Sequence, residues 1–365
     1  MTVLGPNDLK TWAVPTYWDS AYLSEIRLAS GETYEEFLND VTRALAMQNA
    51  ALLQDPLLSS LVSVTTEVAT EYPTGVSNGF AEATEYSQPD AKRASTTGHM
   101  LPLIPYDRKF EWTFLSMKNA RRVQLDADIS SGMADVRSLY AQKILNRLFK
   151  STYDSVASGR SMPVADGGTA DSGYVPINAP DRATAFAYTH THLGCLAGIT
   201  QANLETQVAH LWEHGYDAPY DLVIAQADVS SWTDVTSVTG FVPMRNAGID
   251  YGASETLAQA APGIIGVIET SAYGPVRVRA NARIPTAYWA VYKSYGPMDQ
   301  RNPLVIRYNP DFGIGAVLLA GDHIRKYPLE SAIMWSELGV GVHDRVAAAL
   351  CYNTTPGSYT SPTIS

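Results

Sequence analysis

Charge is scarce in this chain, and so is cysteine. Only 17% of the 365 residues are Asp, Glu, Lys or Arg, while 45% are apolar. Globular domains ordinarily carry about 25% charged residues, so a freely solvated monomer surface is disfavoured and cover by partners is expected. Two cysteines, Cys195 and Cys351, leave no room for a disulfide framework and suit a reducing compartment. Lys and Arg number 26 against 37 Asp and Glu, and the formal charge of -11 argues against a dedicated nucleic-acid binder. Long apolar runs are missing: the best, residues 314–320, falls far short of the roughly 20 residues that cross a bilayer. The start, MTVLGPNDLK, lacks a basic end followed by an apolar stretch, so the chain reads as a soluble intracellular product. There is no internal repeat and no low-complexity tract. Gly313, Gly315 and Gly321 match neither P-loop nor dinucleotide spacing, and no Gly-x-Ser-x-Gly elbow is present.

Helical periodicity is what the chain has in quantity. Leu125, Ile129, Met133, Val136, Tyr140, Ile144 and Leu148 recur at three- and four-residue steps, which puts them on one face of a helix spanning 117–150. At about 1.5 Å per residue such a helix would run roughly 50 Å. It opens with Lys118, Arg121 and Arg122, a locally basic start. Gly132 near its middle supplies either a bend or close packing, and the two readings stand equal. Asp126 and Asp128 point in different directions and make no acid–base pair.

Ahead of this helix, residues 62–112 are rich in Thr, Gly, Pro and Ser, with alternating Val62, Val64 and Val68. They predict a long two-stranded excursion with Lys92 near its tip. An isolated hairpin is marginal in water, so it is expected to lie on a neighbouring copy. Residues 1–30 carry Trp12, Tyr17, Trp18 and Tyr22, a docking arm rather than a fraying end. Together with 21 Tyr and 7 Trp overall, these aromatics suggest extensive interfaces.

The remaining elements complete an α+β order. Residues 31–54 are helical, with Thr33 and Glu36 in capping-box spacing and a stop at Asp55-Pro56. A loop covers 158–180. A second helix covers 201–214, stopped by Gly215. Strands are expected at 220–225, 263–268, 276–280, 288–292 and 304–308, then at 339–352 before a polar tail. The division is an arm (1–30), an N-terminal helix region (31–61), the extended hairpin (62–112) and the long helix with its loop (113–180). A mixed body follows (181–325), its strands near 276–308 returning toward the long helix, and then a return strand with tail (326–365).

One constellation carries chemistry. His210, Glu213 and His214 spell H-x-x-E-H, the inverted zinc-protease arrangement, in which two histidines four apart face a metal and the glutamate serves as base. His190 and His192 could add ligands. Against this, the motif sits in the last turn of its helix, where histidines also cap carbonyls, and Glu255, in a loop-like region, is the nearest carboxylate to complete the set. The expectation is structural histidines, with no catalytic residue, no metal and no cofactor. A zinc-dependent hydrolase using His210, Glu213 and His214 is the rival.

In element order the chain resembles the HK97-fold major capsid proteins of tailed bacteriophages. The residues that carry the resemblance to coat proteins of actinobacterial phages are Thr189 to Leu193 (THTHL), Ala209 to Tyr216 (AHLWEHGY) with YDLVI behind it, Tyr327-Pro328-Leu329, and Leu338 to Arg345 (LGVGVHDR). The resemblance implies an N-terminal arm, an E-loop hairpin, a spine helix in a P-domain and a mixed α/β A-domain. It also implies self-assembly as hexamers and pentamers into an icosahedral head around double-stranded DNA, with assembly in the host cytoplasm. Scaffolding, portal and decoration proteins would be partners, contact with packaged DNA would be non-specific, and no membrane is involved. Trp12, Tyr17, Trp18, Lys92, Arg121 and Arg122 are the expected interface residues, and no covalent cross-link through Lys92 is expected. The basic residues Arg121, Arg122, Arg137, Lys143 and Arg147 balance Asp126, Asp128 and Asp135 rather than bind DNA. An encapsulin-like compartment shell is the alternative within the same fold.

Overall fold

The computed structural model describes residues 27–52, 54–75, 95–113, 116, 119, 122–153, 163–168, 174–179, 185–244, 263–320, 329–354 and 357–364. Trp12, Tyr17, Trp18, Lys92 and Arg121 lie outside the described residues.

Helix α1 (Tyr34–Leu52) begins at the capping box read from the sequence. The Glu36 N–H donates to Thr33 Oγ1 at 3.2 Å, and the Thr33 N–H donates to Glu36 Oε2 at 2.8 Å. The helix ends at Leu52, ahead of the expected stop at Asp55-Pro56, and that pair in turn opens a short helix, α2 (Pro56–Leu61). Asp55 accepts from the Leu57 and Leu58 N–H groups at 3.0 and 3.1 Å. Proline suits the first helical turn, where its missing N–H is an orphan in any case.

Among the described residues the strands are β1 (Val62–Thr65), β2 (Ala69–Thr74), β3 (Ser95–Met100), β4 (Ile104–Thr113), β5 (Leu193–Leu196), β6 (Tyr220–Ala225), β7 (Phe241–Pro243), β8 (Ile264–Thr270), β9 (Gly274–Asn281), β10 (Tyr288–Tyr292), β11 (Leu304–Tyr308), β12 (Val317–Ala320), β13 (Leu329–Val342) and β14 (Ala348–Asn353). Among them stand helices α3 (Arg122–Leu148), α4 (Gln201–Glu213) and α5 (Val229–Trp232). One sheet has five strands, β1-β11-β13-β12, with β4 also on β13. Another has seven, in the order β5-β14-β10-β6-β9-β8-β7, and β2 pairs with β3 alone.

This topology corrects three expected boundaries. The hairpin does not run over 62–112. β1 pairs in parallel with β11, and β4 runs antiparallel to β13 from Ile104 to Thr113, so both outer segments belong to the five-stranded sheet. Among the described residues the two-stranded excursion is the β2–β3 stem. An alternating strand reads the same in a hairpin and in a sheet, because only the distant partner differs. The strand expected at 339–352 is two strands, β13 and β14, in different sheets. β14 lies between β5 and β10, so residues 348–353 belong to the body and not to the return segment. β9 and β10 stay in the seven-stranded sheet, while β11 and β12 have already crossed back to the five-stranded one.

Helix α3 packs on the five-stranded sheet with Leu125, Ile129, Val136, Tyr140, Ile144 and Leu148 buried, and Met133 partly so. Its described span is 27 residues, and Ser116 and Asn119 ahead of it are helical as well. A Cβ on Gly132 would stand 2.6 Å from Phe110 Cζ (on β4) and 3.2 Å from Met334 Cε (on β13), which decides for close packing at this glycine. The polar tail is docked onto the same helix. Gln142 and Asn146 donate to the Ile364 carbonyl at 3.0 and 3.1 Å, and Tyr359 donates to the Phe149 carbonyl at 2.9 Å. Ile364 itself is buried.

Candidate functional site: the hairpin root and a histidine cluster

The β2–β3 stem is anchored at its base. Burial alternates along β2, so Thr70 and Tyr72 turn inward while Ala69, Glu71 and Pro73 stay exposed. Tyr72 meets Tyr174 edge-on with ring centroids 5.5 Å apart. Over both lies Arg345, 1% exposed, its guanidinium carbon 4.1 Å from the Tyr174 centroid and 5.8 Å from that of Tyr72. Arg345 Nε donates to the Pro163 carbonyl at 2.8 Å, and its guanidinium lies 3.7 Å from Asp166 Oδ1. The Val175 N–H donates to Thr74 Oγ1 at 2.9 Å, and Thr70 Oγ1 stands 2.9 Å from His343 Nδ1. The sequence reading missed Arg345 and His343 as anchors, since a charged residue inside an apolar run signals a buried ion pair only once its partners are known.

Next to this root four histidines meet. His190 and His192 stand two apart in the segment leading into β5, so both turn to one side. His210 and His214 stand four apart at the end of α4, where they share a helix face. His192 Nε2 lies 3.0 Å and His190 Nε2 3.2 Å from His214 Nε2. One donor nitrogen each from His190, His192 and His210 lie within 4.8 Å of one another. The outer nitrogens of two rings are fixed by carbonyls: His192 Nδ1 is 2.9 Å from Ala348 O on β14, and His214 Nδ1 is 2.5 Å from Ile177 O. Phe186 covers the cluster, 4.3 Å from the His190 centroid and 4.5 Å from that of His214. Burial lowers all four basicities. The His190 value falls to about 4, with the neighbouring His214 and His210 adding repulsion, and fully buried His192 lies well below the ordinary imidazole range.

The structure therefore brings His210 and His214 together with His190 and His192, and leaves Glu213 aside. Among the described residues the Glu213 carboxylate forms no hydrogen bond or ion pair with these rings, and burial alone raises its pKa. Arg122, expected at an interface, is engaged within the chain. It pairs with Glu32, with Asp40 at 2.8 Å and with Asp126 at 3.4 Å, and its guanidinium lies 5.7 Å from the Phe37 centroid. These contacts tie α1 to the start of α3. Of the expected balancing pairs on α3, Asp126 meets Arg122, whereas Asp135 pairs with Arg108 on β4 and Asp128 accepts from Trp112 Nε1 at 3.1 Å.

A long helix laid on a five-stranded sheet, a hairpin rooted beside it and a second mixed domain define the HK97-like coat-protein fold, of class α+β. Among solved structures, a chain from Mycobacterium phage Patience superposes with a TM-score of 0.63 at 21% identity, covering 96% of this chain and 97% of that one. A chain from the asymmetric unit of the bacteriophage PhiM1 mature capsid superposes with a TM-score of 0.50 at 10% identity, covering 82% and 87%. No family model and no curated protein matches the sequence.

Proposed function

We propose that this chain is the major capsid protein of a tailed bacteriophage, assembling as hexamers and pentamers into an icosahedral shell around double-stranded DNA. The observation that carries the reading is the shared fold with the phage chain over nearly the whole length of both. The hairpin supports it. Val68 and Met100 at the stem, with Met100 opposite Ala69 in the ladder, and Ile104 at the start of β4 are 49%, 51% and 43% exposed. A two-stranded stem presenting apolar side chains gains its missing cover from a neighbouring subunit. Scaffolding, portal and decoration proteins, and loose contact with packaged DNA, belong to the same reading, as does assembly in the host cytoplasm. A structural role fits this reading, and among the described residues Glu213 makes no hydrogen bond or ion pair with the histidines.

A variant with residues 76–94 replaced by a short linker tests this, since it keeps the Thr70 and Tyr72 anchors. The expected result is a body with unchanged circular dichroism and melting that forms no shells. Normal shells from this variant would overturn the interface assignment. Shells filled with a protein cargo and no nucleic acid would point instead to an encapsulin-like compartment.

A further inference from the structure

The four histidines pose a problem of lone pairs. A carbonyl oxygen only accepts, so the Nδ1 atoms of His192 and His214, held against Ala348 O and Ile177 O, must carry their protons. In the neutral rings both Nε2 atoms are then bare acceptors, yet they face each other at 3.0 Å, with His190 Nε2 a further 3.2 Å from that of His214. Acceptors at this spacing repel unless a cation lies between them. A single proton could bridge only one pair of these nitrogens, whereas three or more ring nitrogens converge here. A metal ion is the alternative. Zinc–imidazole bonds of about 2.0–2.1 Å place tetrahedral ligand nitrogens about 3.3 Å apart, close to the two spacings observed. His210 adds a fourth ring, and its Nδ1 is buried without a hydrogen-bond partner among the described residues. The carbonyls behind His192 and His214 have the form of outer-shell partners that fix the tautomer and aim of metal-ligating histidines.

We propose that His190, His192, His210 and His214 form a structural site for one divalent transition metal, of which zinc is the natural occupant for an all-imidazole donor set. This departs from the expectation of no metal, and it is independent of the shell reading. Four protein donors close a tetrahedral sphere and leave no position for a substrate or an activated water, so the site holds structure and performs no hydrolysis. The ion would clamp the end of α4 to the segment entering β5. Through the carbonyls of Ala348 and Ile177 it would also engage β14 and the 174–179 segment, whose Tyr174 lies under Arg345 at the hairpin root.

The test is elemental analysis of the full chain purified without a histidine tag, followed by chelation and reloading with zinc or cobalt. The proposal expects about one zinc per chain, a melting temperature lowered by chelation and restored by zinc, and visible absorption typical of tetrahedral cobalt after cobalt loading. The His192→Gln/His214→Gln variant should lose at least ten-fold in zinc affinity, and His210→Gln should alter the cobalt spectrum while the fold persists by circular dichroism. Two outcomes overturn the proposal: no metal retained with no melting shift on adding zinc, or one zinc that survives the double variant. Should the variants fail to fold, the chelation and reloading of the unaltered chain still decide.

Discussion

The Arg345 guanidinium lies over the Tyr174 ring, its central carbon 4.1 Å from the centroid, while the same group reaches Asp166 and the Pro163 carbonyl. It is the point where the hairpin stem, the 163–168 and 174–179 segments and the turn between β13 and β14 meet. Arg345→Leu removes one member of a buried pair and should destabilise the fold by about 3 kcal/mol or more, the scale for leaving a buried charge uncompensated. Arg345→Lys should recover only part, since a lysine keeps the charge but not the planar stacking or the forked donors. Denaturant unfolding measures both, and limited proteolysis should show the stem opening first.

Gly132 lies under Phe110 and Met334. Gly132→Ala would add a methyl 2.6 Å from the Phe110 ring, and overpacking of this kind costs about 1–3 kcal/mol. The gain in helix propensity, about 0.5–1 kcal/mol, only partly offsets it. The net expectation is a loss of about 1 kcal/mol, and Gly132→Val should be worse. A stabilised Gly132→Ala protein would instead make this glycine a helix defect.

His343 gives the stem a dependence on acid. Burial lowers its pKa, outweighing the opposing pull of Asp344, so the unfolded chain takes up a proton before the folded one as pH falls. Its contribution is therefore complete above the ordinary imidazole value of about 6.5 and is lost as pH drops through it. Unfolding free energies measured from about pH 7 to pH 5 should fall less steeply in His343→Gln than in the unaltered chain.

Met100 and Ile104 lie on the exposed side of the hairpin root. Met100→Glu with Ile104→Glu should change monomer stability by no more than about 0.5 kcal/mol per site, as exposed substitutions do. Assembly should fail, because the charges would be buried against the neighbour. Analytical ultracentrifugation separates the two effects, and shells of normal size from the double variant would mean that these residues face solvent in the particle.

Local signals were the legible ones. The Thr33–Glu36 capping box, the buried stripe of α3 and the Gly215 stop after α4 rest on contacts a few residues apart, and each stands where the pattern puts it. What the sequence concealed depends on pairing across long separations. Nothing local tells Val62 that it will lie beside Leu304, or divides a run such as GVGVHDRVAAALCY between two sheets. The histidines show the same limit. H-x-x-E-H suggests a metal with a glutamate base, but the meeting of THTHL with it, and the exclusion of Glu213, arise only when β5 and α4 pack together.

Negative-stain electron microscopy of the full chain expressed alone tests the central claim most directly. The account predicts closed shells, or tubes and sheets on a hexagonal lattice, or discrete hexameric and pentameric rings. A chain that remains monomeric or dimeric at every protein concentration and salt tried would contradict it.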